Sequence, residues 1–158
     1  MQTLKDAYDY FTSAAKTHFV PRRIDTHAHI VPPFYKEWLE SKGITAGGLS
    51  IPSWSEESCL EFMNTAGVET SILSVSTPGV VLYENGVDKT DWSEAKDMAR
   101  RVNEYCNALH EKNPKNFGFF ATLLLPDVAA SINEAKYALE TLHADGVILL
   151  TNVDKQYL

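Results

Sequence analysis

Four β-prone apolar runs, separated by segments of helical periodicity, constrain this chain more than any other feature. The runs cover 22–27, 68–76, 117–125 and 145–150. Between them, apolar residues recur at the three- and four-residue spacing of amphipathic helices. The second run centres on Ile72-Leu73-Ser74-Val75, with the near-continuous apolar character of a strand covered on both faces. Strands alternating with helices imply parallel pairing through right-handed crossovers, hence an α/β fold.

Helix punctuation agrees with that alternation. Leu4, Ala7, Tyr8, Phe11, Ala14 and Ala15 predict an N-terminal helix over 1–20, which Pro21 ends. A short helix follows over 34–41. Ser55 is an N-cap for a helix reaching Ala66, and Gly67 terminates it. Ser93 caps a long helix to Lys112 whose core face is Ala95, Met98, Ala99, Val102, Tyr105, Cys106 and Leu109. Asp127 caps the last helix, with Val128, Ile132, Ala135, Leu139 and Leu142 as its predicted buried stripe. His110 and His143 fall at helix ends, positions that suit a solvated cation. The 43–52 loop is glycine-rich but lacks the Walker pattern, so it is not a phosphate loop. Residues 80–92 read as a long connection.

A closed (β/α)8 barrel needs eight strands and typically ~250 residues. This chain has 158 residues and about four strands. The expectation is therefore the N-terminal half of a TIM barrel: a helical leader over 1–20, then a partial barrel domain over 21–158. An open four-stranded sheet is the alternative if the chain is complete.

Composition narrows the partners. The formal net charge is −7 and the pI is near 5.2, which disfavours nucleic acid and anionic membranes. No apolar run approaches membrane-spanning length. The N-terminus lacks a signal-peptide pattern. Cys59 and Cys106 have no CxxC spacing and read as free thiols of a reducing compartment, so a cytoplasmic protein is expected.

The first strand runs into Asp25-Thr26-His27-Ala28-His29. Residues two apart on a strand share a side, so His27 and His29 can converge just past a strand end. Two imidazoles there are half of a transition-metal site, and zinc is the commonest fit. Asp25 lies two residues earlier, placed to orient a ligand or touch the ion. An α/β barrel carries its chemistry at these C-terminal strand ends.

These motifs are joined by Pro32-Pro33-Phe34-Tyr35, Trp54-Ser55, the run from Ser71 through Thr77-Pro78-Gly79, the run from Phe119 to Pro126, and the run from Gly146 to Thr151-Asn152. In that order and spacing the chain resembles the amidohydrolase superfamily, and within it the metal-dependent decarboxylase branch that includes aminocarboxymuconate-semialdehyde and 6-methylsalicylate decarboxylases. The resemblance covers nearly everything after residue 20. It implies Zn2+, or another divalent ion such as Mn2+, held in part by His27 and His29. The remaining ligands and the catalytic residues would come from later strands, beyond this chain. It implies a small carboxylic acid as substrate and a homodimer at full length. Phe34, Trp54, Thr77, Pro78 and Asn152 are the candidate substrate contacts. The implied reaction is non-oxidative decarboxylation of a hydroxylated aromatic or related unsaturated acid. A metal-dependent amidohydrolase or lactonase, and an inactive fragment or interaction module, are the alternatives.

Overall fold

The computed structural model describes residues 23–46, 48–84, 87–153, 156 and 157. The helix predicted over 1–20 lies outside the described residues. In chain order the elements begin with β1 (Arg23–His29), α1 (Pro33–Ser41), α2 (Glu56–Ala66) and β2 (Val68–Ser74). A small hairpin, β3 (Tyr83–Glu84) and β4 (Val87–Asp88), precedes α3 (Trp92–Lys112). Then come β5 (Phe117–Thr122), α4 (Val128–Glu140), β6 (Gly146–Ile148) and a second hairpin, β7 (Asn152–Val153) and β8 (Gln156–Tyr157).

Four strands pair in the order β1-β2-β5-β6, all parallel, and form a curled half-barrel with flanking helices. The predicted α/β architecture is the observed one, and the connection predicted over 80–92 contains the β3–β4 hairpin. Thr90 ties this segment back, its Oγ1 accepting from the Leu82 amide at 2.9 Å.

The core lies between the sheet and α3. Leu73, Phe117 and Phe119 on the strands meet a helix face that includes Met98, Ala99, Val102, Cys106 and Leu109, all buried. Ala95 and Ala99 are fully buried and keep that face small enough for close packing. Burial pushes the Cys106 thiol up to about 12. At pH 8, iodoacetamide should therefore leave Cys106 unmodified in the folded chain and alkylate it in denaturant, as read by peptide mass spectrometry.

Local chemistry sets the helix ends. Ser55 caps α2, its Oγ accepting from the Ser58 amide, and Gly67 closes the helix in the left-handed conformation at φ 67°. The cap of α3 is Asp91, two residues before the predicted Ser93, because its carboxylate accepts from both the Ser93 and Glu94 amides. Asp127 caps α4 as predicted.

The rotation of α4 departs from expectation. Val128, Ile132 and Leu139 are 59%, 50% and 43% exposed, whereas Ser131, Glu134 and Ala138 are buried. Polar anchors turn the helix. Ser131 Oγ accepts from the Leu124 amide at 3.1 Å. Glu134 accepts from Arg100 Nε and Nη2 and from Asn103 Nδ2. Val128, Ile132 and Leu139 of the predicted stripe are consequently left facing outward, Ala135 is half-buried, and Leu142, just past the helix, is buried in the core as expected. Glu134→Ala would strand the buried Asn103 amide hydrogen and should cost about 1–3 kcal/mol in urea unfolding.

Asn103 does more than hold Glu134. The Asn116 carbonyl accepts from Ser71 on β2, while the Phe119 carbonyl accepts from Asp145 on the β6 side. Carbonyls two residues apart point the same way, so the backbone groups of Thr122 face β2. The β2–β5 register ends at Leu73↔Phe119. At Thr122 the Asn103 amide takes the missing strand's place, accepting from Thr122 N at 2.8 Å and donating to Thr122 O at 3.1 Å.

Candidate active site

The site begins at an irregularity in β1. Its register against β2 runs Asp25↔Ser71 and then Ala28↔Leu73, so three steps on β1 match two on β2. This bulge interrupts the side-chain alternation around His27. Asp25 consequently does not join the imidazoles. Its Oδ1 accepts from the His27 amide at 2.9 Å, and its charge helps raise the Cys59 thiol on α2, after burial as the larger cause. Among the described residues no group of three His, Cys, Asp or Glu side chains is placed to hold an ion.

His27 and His29 do lie side by side. Their ring centroids are 4.7 Å apart at an interplanar angle of 68°, and both residues are exposed. His29 Nδ1 lies 3.4 Å from Ser74 O and 3.3 Å from Ser74 Oγ, at the C-terminal end of β2. A carbonyl only accepts, so a proton on Nδ1 satisfies it and leaves Nε2 as the lone-pair nitrogen. This is the hydrogen-bonding arrangement that prepares a histidine for a metal.

Beyond the strand ends is a cavity of about 220 Å3, walled by Val75 and Pro78 after β2, Thr122 and Leu123 at the end of β5, Ile148 at the end of β6 and Asn152 in β7. Val75 after β2 and Thr122 at the end of β5 share this wall. The Pro78-Gly79 turn is pinned from α1, where Tyr35 donates to Gly79 O at 2.6 Å. Burial raises the Tyr35 hydroxyl well above its ordinary value, so it stays protonated as that donor. No charged side chain is among the described cavity walls.

The predicted substrate contacts divide accordingly. Pro78 and Asn152 line the cavity. Thr77 is exposed in the adjacent turn and stays off its walls. Phe34 instead packs edge-on against Tyr105 at 5.7 Å, with the Arg101 guanidinium 4.6 Å above its ring. Trp54 packs half-buried against the hydrophobic core and is not among the cavity walls. His110 is not the solvated side chain expected: it is half-buried, with Nδ1 2.7 Å from Phe117 O. His143 is exposed in a left-handed turn at φ 55°. Sequence reasoning missed Thr122 and Asn103. The signal for Asn103 was available, a polar residue within the apolar face of α3 between Val102 and Cys106.

No protein-family model matches the chain. Individual proteins do. A decarboxylase of Aspergillus niger is 43% identical over 134 residues, covering 82% of this chain and 34% of that protein. The 6-methylsalicylic acid decarboxylase of Aspergillus aculeatus is 39% identical over 130 residues, with coverages of 82% and 38%. Over the matched stretch the chain is similar to these decarboxylases. It spans well under half the length of these curated relatives. Among solved structures, an amidohydrolase superposes with a TM-score of 0.74 at 28% identity, covering 85% of this chain and 42% of that one. The 5-carboxyvanillate decarboxylase of Novosphingobium aromaticivorans, solved with manganese and a nitrobenzoic acid, shares the fold at 22% identity and a TM-score of 0.65, with coverages of 82% and 42%. Among the described residues no helix is long and apolar enough to cross a membrane.

Proposed function

We propose that this chain supplies two metal ligands and part of the substrate cavity of a divalent-metal-dependent, non-oxidative decarboxylase of hydroxylated aromatic acids. The observation that carries the reading is the His27–His29 pair, side by side at the end of β1 with His29 Nδ1 directed at Ser74. Its relatives at 43% and 39% identity are decarboxylases, one of them of 6-methylsalicylic acid.

Zn2+ suits two imidazole nitrogens. Mn2+ is the ion in the related 5-carboxyvanillate decarboxylase structure. Two nitrogens are half of a tetrahedral set, so the remaining ligands belong to later strands of a full barrel. A divalent ion bound there would attract the substrate's oxygens and stabilise negative charge as CO2 departs.

The chain's own residues have separate tasks in this reading. Ser74 holds the ring of His29 and its tautomer. Val75, Pro78, Leu123 and Ile148 supply an apolar wall that excludes water from one side of the ring. Tyr35 fixes the turn carrying Pro78. The free cysteines suit a reducing compartment, and we place the protein in the cytoplasm.

The experiment is CO2 release from 6-methylsalicylate and simpler hydroxybenzoates by the protein carrying this chain, loaded with Mn2+ or Zn2+. Release that stops on chelation supports decarboxylation. Hydrolysis of a lactone or amide without CO2 would replace this reading with the hydrolytic one.

A further inference from the structure

We infer that Asp25 is a positioning residue for the histidine pair: its carboxylate latches the β1 bulge, and the bulge turns the imidazoles from the helix side of the sheet to the opposite face. The latch is local. Asp25 Oδ1 accepts from the His27 amide, two residues on, at 2.9 Å. An Asp that bonds the amide two residues ahead draws that amide out of the ladder and into a turn of its own. The register agrees, passing from Asp25↔Ser71 directly to Ala28↔Leu73.

Facing follows from that register. Paired residues on neighbouring strands share a face, as do residues two apart on one strand. Leu73 is fully buried in the core against α3, so Ser71 and Leu73 point to the helix side. Asp25 and Ala28, their partners, therefore point there as well. Both are half-buried while the other β1 residues are exposed, so the covered positions stand three apart instead of two. Ala28 packs against the core. Asp25 lies close enough to α2 for its charge to help raise the Cys59 thiol, after burial as the larger cause. Without the extra residue, Asp25, His27 and His29 would all face the helices. With it, His29 pairs with Ser74 on the opposite face, and its ring meets the Ser74 hydroxyl. His27 lies beside that ring. Asp25 thus acts through the His27 backbone and not as a third ligand.

The reach of the side chain makes the latch testable in the protein that carries this chain. Asp25→Asn keeps an oxygen acceptor at the same reach. Asp25→Glu keeps the charge but adds a methylene, and Asp25→Ala keeps neither. NMR supplies three readouts: hydrogen exchange of the His27 amide, the NOE between the His29 ring and the Ser74 side chain, and broadening of the histidine ring signals by Mn2+. In the unmodified protein and in Asp25→Asn, the amide should exchange slowly, the NOE should be present, and both rings should broaden together. In Asp25→Glu and Asp25→Ala the amide should exchange about tenfold faster and the NOE should disappear. Mn2+ should then bind about tenfold more weakly, without broadening the two rings together. Asp25→Glu carries the test should Asp25→Ala fail to fold.

An unchanged NOE and joint broadening in Asp25→Glu or Asp25→Ala would overturn the latch and leave the metal reading standing. Loss of Mn2+ binding in Asp25→Asn with the NOE retained would also overturn it, by making Asp25 a ligand. Only the Mn2+ readout rests on the proposed metal reading. Exchange and NOE that depend on Asp25, with no Mn2+ effect on either ring of the unmodified protein, would uphold the latch and sink that reading.

Discussion

Replacing His27 and His29 together by alanine should abolish divalent-ion binding by this chain. In the protein that carries it, decarboxylation should fall on the order of a thousandfold. The scale follows from the several kcal/mol a bound ion contributes to charge stabilisation, at about 1.4 kcal/mol per factor of ten. Both residues are exposed at the end of an edge strand, so the double variant should fold with an unchanged melting temperature. His110→Ala is the contrasting control. Its Nδ1 is committed to Phe117 O on the helix side of the sheet, so ion binding should be unaffected. Isothermal titration with Zn2+ and Mn2+ reads the first effect, and a CO2 assay reads the second. Affinity in the chain alone should be weak, since two imidazoles leave half a tetrahedral shell to solvent.

Phe119→Ala should be the most destabilising single change in the described core, lowering unfolding free energy by about 3–5 kcal/mol. Phe119 is 1% exposed and belongs to the buried cluster under α3. Its amide accepts no rearrangement cheaply, because it donates to Asp145 Oδ2 at 2.9 Å while its carbonyl accepts from the Asp145 amide. The cavity left by the ring would sit in a strand tied to Asp145 and paired with β2 on one side and β6 on the other, and would collapse little. Against the 5–15 kcal/mol typical of a domain, this loss should be plain as a shift of the urea midpoint with little change in slope.

Much of the architecture was legible because its signals are local. The alternation of β-prone runs with helical periodicity is carried by neighbouring residues, and Ser55, Gly67 and Asp127 act through their own backbone turns. The long α3 showed its buried face because Met98, Val102, Cys106 and Leu109 really do meet the sheet. The α4 stripe misled because periodicity finds an apolar face without saying where it points. Long-range bonds from Ser131 and Glu134 decide that rotation, and neither bond has a signature in spacing.

The site divides along the same line. His27 and His29 sit two residues apart, and strand geometry alone suggested their convergence. Asp25 failed to follow because a bulge, which depends on pairing with β2, breaks the alternation between them. Phe34 and Trp54 were drawn toward the cavity by residue type, yet each packs on structure elsewhere.

The most direct measurement is Mn2+ titration of the 15N-histidine-labelled chain, followed by paramagnetic broadening of the ring signals. The account predicts that His27 and His29 broaden first and together, at the lowest ion ratios, while His110 and His143 stay sharp. Broadening centred on His110 or His143, or uniform across all the rings, would contradict it.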